Sequence, residues 1–253
     1  LVPYLFPKAG PLRYQAVLTL ARSSDGVIVT NRGDRERLAT EKSLASLRHI
    51  PIGSNIAPDP PPEYSREVWR SALGFQAEDI VVGYFGFLNA SKGVDTLLQA
   101  IRTARNGGLP VRLLMIGGRT GTSDPANILY AQEIDELIAQ LDLLDHIQWT
   151  GFVDSRQVSG HLLAADIIAL PYRDGVSFRR GSLMAALAHG CAIITTNPQV
   201  DTPELVSNKH VRINPAMRAE MGRSAAQLAA DYTWEAIAMR TAAFYQDLID
   251  QAG

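Results

Sequence analysis

The chain has 253 residues, 46% of them hydrophobic, enough for one large or two modest α/β domains with a proper core. Lys and Arg total 24 against 26 Asp and Glu, a formal net charge of -2. No global field therefore recruits nucleic acid or an anionic membrane, and any basic site must be local. The single cysteine, Cys191, lies in an apolar run, which excludes an internal disulfide framework and gives a reducing, cytoplasmic setting as the expectation. No apolar run reaches the roughly 18 residues of a spanning helix, and the opening LVPYLFPKAG lacks the charged-then-apolar layout of a signal peptide. The missing initiator Met gives the expectation of a fragment.

Pro3, Pro7, Gly10 and Pro11 break the opening, and a helix is expected over residues 14–22. Residues 26–30 (GVIVT) read as a buried strand, 32–39 as a charged helix and 50–52 as a second short strand, together the tail of one α/β unit. Prolines at 58, 60, 61 and 62 cannot continue a helix or a central strand. That stiff segment is the expected connector, with the boundary between residues 57 and 58. A helix over 65–73, ended by Gly74, opens the next unit. Strands are then expected over 80–85, 111–116, 147–150, 167–170 and 193–196, alternating with helical patterns that include 94–104, 126–141 and 183–189. This alternation predicts an α/β fold with a parallel sheet and helices on both faces. Beyond residue 196 the pattern loosens to a short strand at 210–213 and helices over 216–230 and 234–248. There is no heptad seam, low-complexity tract or internal repeat.

In open parallel sheets, ligands bind outside the carboxyl ends of the strands, so the loops that follow the strands share one cleft. The first, residues 86–93 (GFLNASKG), places Lys92 before a helix, where orphan amides and the helix dipole favour an anion. It is no P-loop, because Lys92 is followed by Gly93, and a plainly solvated lysine is the competing reading. The second begins Gly117-Gly118-Arg119-Thr120-Gly121, which fails the dinucleotide fingerprint and argues against a nicotinamide dehydrogenase. The third, residues 173–182, carries Arg179 and Arg180 directly before a helix, a poor place for cations unless a phosphate neutralises them. The competing reading has one arginine solvated and the other paired with Asp174. The five histidines show no metal spacing, and His189 on its alanine-rich helix reads as packed. No GxSxG elbow and no basic aromatic stripe exist, which argues against an α/β-hydrolase and a nucleic-acid platform.

The blocks Gly86-x5-Lys92-Gly93-Val94-Asp95-x-Leu97-Leu98-x-Ala100, Leu114-Met115-Ile116-Gly117-Gly118, Thr150-Gly151-Phe152-Val153, Ala164-Ala165-Asp166-Ile167-x-x-Leu170-Pro171-Tyr172 and Ala186-Leu187-Ala188-His189-Gly190 follow one another in order. Over about residues 80–196 the chain resembles the donor-binding half of a GT-B glycosyltransferase of the retaining, family-4 type. The resemblance implies a two-domain enzyme with Rossmann-like halves and a nucleotide-sugar in the cleft. The acceptor would be held mainly by the N-terminal domain, of which residues 1–57 would be a remnant. Residues 58–233 would be the donor domain, and 234–253 a final helix that crosses back. A short connection near 213–215 implies an internal deletion.

Residue by residue, the resemblance makes Lys92 the phosphate-binding lysine and Gly86 the glycine that lets the diphosphate approach. Gly151, Phe152 and Val153 match the loop that contacts the base. Gly181, Ser182 and Leu183 match the helix start whose amides meet the diphosphate. The family's arginine after the first-loop glycine is here Phe87, and its two glutamates, eight positions apart, are here Ser177 and Ala185. Arg179 or Arg180 is expected to restore the charge missing at Phe87. Lys92, Arg180 and Ser177 are thus the catalytic candidates. Gly86, Phe87, Asn89, Gly117, Gly118, Gly151, Phe152, Val153, Arg179, Gly181, Ser182 and Leu183 are the donor-binding ones. No metal site and no required cofactor are expected. The substrates would be a UDP- or GDP-sugar and a saccharide or lipid-linked acceptor, with peripheral membrane contact through the N-terminal domain. A non-catalytic nucleotide-binding module and a nucleotide-sugar epimerase stand as alternatives.

Overall fold

The computed structural model describes residues 10–41, 44–121, 125–199, 205, 225–227 and 229–252. The chain divides into two compact units, Leu1–Ile52 with Trp234–Gly253, and Gly53–Thr233. The strand expected at 210–213, most of the helix expected at 216–230 and the connection near 213–215 lie outside the described residues.

In the first unit, α1 (Gly10–Arg22), β1 (Val27–Val29), α2 (Arg32–Ala39) and β2 (Leu47–His49) surround a small core of Leu18, Val29 and Leu38. The strands pair in parallel, Val27 opposite Leu47. Asn31 caps α2 by accepting the Asp34 amide at 2.8 Å, which satisfies an orphan donor of the first turn. The second strand falls three residues before its expected place at 50–52. The Ile50 amide still donates to the Val29 carbonyl at 2.9 Å, but Pro51 has no N–H with which to extend the ladder. The last helix belongs to this unit. At Gly26 a Cβ would stand 2.6 Å from Leu248 Cδ1, so the absent side chain is what lets that helix approach.

The second unit opens with α3 (Arg66–Ala72), capped by Ser65 and ended by Gly74 at φ 77. It continues through β3 (Ile80–Phe85), α4 (Val94–Asn106), β4 (Val111–Ile116), α5 (Pro125–Gln140), β5 (Ile147–Trp149), α6 (Ser155–Ala164), β6 (Ile167–Leu170), α7 (Gly181–Ala188) and β7 (Ile193–Thr195), and the closing helix of the chain is α8 (Trp234–Ala252). The five strands form one parallel sheet in the order β5-β4-β3-β6-β7. Alternate residues of β3 and β4 explain the two covered faces. Val82, Tyr84, Leu113 and Met115 pack with Leu97, Leu98 and Ile101 of α4 and Ile134 and Ile138 of α5. The opposite face carries Val81, Gly83 and Leu114 beneath α6. A Cβ on Gly83 would stand 2.6 Å from Ile168 Cδ1, so the Ile168 side chain fills the place that a side chain at 83 would take.

At the amino end of the sheet, the buried Asp166 carboxylate accepts from Arg66 at 2.8 Å, Arg70 at 2.9 Å and the Val81 amide at 2.8 Å. Burial pushes this carboxyl up, but those donors outweigh it and hold its pKa below the ordinary carboxylate value. No helix among the described residues is long and apolar enough to cross a membrane.

Candidate functional site

The strand order reverses between β3 and β6, the kind of position beside which open parallel sheets bind ligands. After β3, the Gly86 amide donates to the Ile116 carbonyl at 3.0 Å and the backbone turns at φ 128. A Cβ on Gly86 would stand 2.6 Å from Lys92 Nζ, so the ammonium lies directly over the bare glycine. A short 3-10 turn, Ala90–Lys92, aims it there. Asn89 caps that turn through the Ser91 amide at 2.9 Å and donates its own amide to Asn127 at 2.9 Å. Gly93 ends it at φ 66, where a Cβ would meet the Pro171 carbonyl oxygen at 2.1 Å. Among the described residues no side chain pairs with the Lys92 ammonium. Burial first, and the Arg180 charge second, lower its pKa to about 8.

The loop after β6 is fastened to this turn. The Arg173 amide donates to the Ser91 carbonyl at 2.9 Å, and its guanidinium donates to Asp95 at 2.6 Å. Asp95 also accepts from the Tyr130 hydroxyl at 3.0 Å. Burial raises the Asp95 carboxyl, but these two donors more than compensate and leave it below the usual range.

Farther along, the Tyr172 side chain is buried and its hydroxyl lies 2.7 Å from Ser182 Oγ. The Arg180 guanidinium sits over the Tyr172 ring, 4.7 Å from its centroid, and is paired with the Asp174 carboxylate. A cation over an aromatic face contributes about 0.5–2 kcal/mol and an exposed ion pair about 0–1 kcal/mol. The ring therefore contributes to holding Arg180 on the same scale as Asp174 does. Arg180 is also the N-cap residue of α7, with no side-chain cap bond, so the first-turn amides and the positive end of the helix face the same region. Arg180, at the start of α7, thus has the Asp174 carboxylate as its partner, while the Lys92 ammonium has no carboxylate partner among the described residues.

The other strand ends complete the edge. Gly117 and Gly151 form a bridge between the loops after β4 and β5, and the Gly117 amide donates to Thr150 Oγ1 at 3.0 Å. Phe152 is 87% exposed and Val153 half-buried. Phe87 lies across Gly118 and Gly121, where a Cβ on Gly121 would meet its ring at 2.7 Å. The glycines therefore make room for Phe87, a role their spacing did not disclose.

Several expected residues stand differently from how the sequence alone presents them. The Asn89 side chain is engaged in capping. Leu183 is buried, so only its backbone is open to a ligand, and Ala185 is wholly buried in the core. Arg180 does pair with Asp174, as the competing reading had it, but it stays beside Lys92. Arg179 is exposed, Gly181 is exposed, and Ser177 is half-buried with its carbonyl accepting the Arg180 amide at 3.1 Å. Sequence reasoning missed Tyr172 as the seat of Arg180 and the Asp95–Arg173–Tyr130 clamp. The position of Tyr172, two residues after β6 and at the end of one of the family-like blocks, hinted at its place but not at its role. His189 is structural, held by the Ala185 carbonyl at 2.7 Å and Ser159 Oγ at 2.8 Å.

The profile described as Glycosyl transferases group 1 matches residues 79–231, more than half of the chain and all of the site. This chain belongs to the glycosyl transferases group 1 family. Among similar proteins of the glycosyl transferases group 1 kind is a D-inositol 3-phosphate glycosyltransferase of Corynebacterium urealyticum, 26% identical over 207 residues, covering 75% of this chain and 48% of that protein. A GDP-mannose-dependent alpha-(1-6)-phosphatidylinositol monomannoside mannosyltransferase of Mycolicibacterium smegmatis is 25% identical over 167 residues, covering 64% of this chain and 40% of that protein. The chain thus spans about half the length, or less, of these curated relatives. Solved structures share the fold. Sucrose-phosphate synthase from Thermosynechococcus elongatus superposes with a TM-score of 0.72 at 21% identity, over 95% of this chain and 62% of that one. Anabaena HepE in complex with UDP and glucose gives 0.73 at 18% identity, over 93% and 67%.

Proposed function

We propose that the chain carries the donor side of a glycosyltransferase that moves a sugar from a nucleotide-diphosphate-sugar to a saccharide or lipid-linked acceptor, with retention at the anomeric carbon. The observation that supports this best is the Lys92 ammonium lying over Gly86 with Arg180 beside it, at the point where the strand order reverses. In the reaction, the bond between the anomeric carbon and the diphosphate oxygen breaks. A bond to an acceptor oxygen forms, and the proton of the acceptor hydroxyl passes to the departing diphosphate oxygen. The group in need of stabilisation is the departing nucleotide diphosphate. Lys92, Arg180 and the amides of Gly181 and Ser182 supply positive charge and donors where that charge develops. Ser177 would offer a single hydrogen bond to the sugar.

The donor nucleotide would be UDP- or GDP-linked. That choice is supported by a relative whose name specifies GDP-mannose and by a neighbouring fold solved with UDP. A second reading, a nucleotide-binding module without turnover, is favoured by one feature: position 185 is an alanine sealed in the core, and Ser177 carries no charge. The experiment is to incubate the chain with UDP-glucose and with GDP-mannose and follow free sugar and nucleoside diphosphate. Release of both, with retained anomeric configuration in any transfer product, supports the transferase. Tight binding without release supports the module.

A further inference from the structure

We propose that Asp174 sets the affinity of the donor site: its carboxylate occupies Arg180 until a diphosphate displaces it, so that Asp174 acts as a built-in competitor of the donor. This inference rests on the donor reading above.

Three contacts fix Arg180: the Asp174 carboxylate, the face of Tyr172 at 4.7 Å, and its own amide donating to the Ser177 carbonyl at 3.1 Å. Two of the three are independent of Asp174. The Tyr172 ring is itself fixed, since it is buried and its hydroxyl meets Ser182 Oγ at 2.7 Å. Removing the carboxylate therefore leaves the guanidinium over the ring and beside Lys92, with its donors open.

Charge then decides the sign. Lys92, Arg180 and Asp174 together carry one net positive charge, and a neutral residue at 174 leaves two. The Asp174 side chain is 43% exposed and that of Arg180 20% exposed, so the pair is a partly solvated one whose loss costs the fold little. A nucleoside diphosphate entering the cleft must outcompete this carboxylate for the same fork of donors, because charged oxygens of both kinds fit a guanidinium in the same way. A ligand that takes Arg180 must meet this displacement cost, whereas one that leaves the Arg180–Asp174 pair intact escapes it, so the carboxylate weakens diphosphates at least as much as monophosphates.

The test is a calorimetric titration of the full chain with UDP, GDP and UMP at pH 7 and low salt, using wild type, Asp174→Asn, Arg180→Ala and the double variant. Asp174→Asn is expected to tighten nucleoside diphosphate binding by about two- to fivefold, the range of an exposed ion pair, and to tighten UMP by no more than that, so that the preference for UDP over UMP holds or widens. The gain is expected to shrink at high salt and to vanish in the Arg180→Ala background. Tightening that persists without Arg180, or unchanged or weaker binding in Asp174→Asn while Arg180→Ala loses affinity, would overturn this inference and leave the donor reading standing. Absence of nucleoside diphosphate binding in every protein, wild type included, would overturn both.

Discussion

The Lys92 ammonium is half-buried over Gly86 with a second cation near it, and its pKa of about 8 follows from those two causes. A free lysine titrates at about 10.4, so the folded chain disfavours the charged form. The stability cost of that charge is present below about pH 8 and is relieved as pH rises toward the unfolded value. Anion binding runs the opposite way, because the phosphate needs the ammonium. Affinity for UDP or GDP is expected to fall as pH rises from 7 to about 9.5, and Lys92→Met is expected to bind weakly with no such slope. Titrations at several pH values check this, and a wild-type affinity flat across the range contradicts it. Gly93 gives a second prediction at this scale. An alanine there meets the Pro171 carbonyl oxygen at 2.1 Å and must hold φ 66, so Gly93→Ala should destabilise the protein by more than about 1 kcal/mol. A lower denaturation midpoint reports that loss, and an unshifted midpoint contradicts it.

The elements of the sheet are held at their amino ends by Asp166, which leads into β6 and ties α3 and β3 to it. Removing a partner from a buried charged cluster costs about 3–5 kcal/mol, because the buried Arg70 loses its carboxylate and keeps only the Ala164 and Asp79 carbonyls. Asp166→Ala should lose stability of that order in urea unfolding, whereas a loss below about 1 kcal/mol contradicts the assignment. Its depressed carboxyl contributes stability above the unfolded pKa of about 3.9, and that stability is lost as pH falls through the lower folded value. At this scale the sequence was highly legible. The bounds of β3, β4 and β6 agree with the continuous β-branched and aliphatic runs, because strands covered on both faces need no polar alternation. The strand displaced from 50–52 shows the limit, since ladder hydrogen bonds and not hydrophobicity decided where β2 ends. The site was legible only in its local parts. Lys92 and the glycine-bearing turns follow from loops placed after strands. The clamp between Asp95 and Arg173, 78 positions apart, and the seating of Arg180 on Tyr172 arise from tertiary packing that no local pattern encodes.

For the molecule as a whole, family membership and the strand order agree on where a ligand belongs. The group 1 profile covers the five-stranded sheet, and Lys92 and Arg180 lie on the loops that follow β3 and β6, the two strands between which the order reverses. The candidate residues all lie within Gly53–Thr233. The first unit, with its two-stranded sheet and α8, contributes none of them. The most direct measurement is calorimetric titration of the full chain with UDP and with GDP, comparing wild type with Lys92→Met and Arg180→Ala. A charge-assisted hydrogen bond contributes about 1.5–3 kcal/mol and about 1.4 kcal/mol is a factor of ten, so each variant should lose about tenfold or more in affinity. Saturable binding of at least one nucleotide, weakened to that degree in both variants, is the predicted result; no binding of either nucleotide, or binding indifferent to both substitutions, would contradict it.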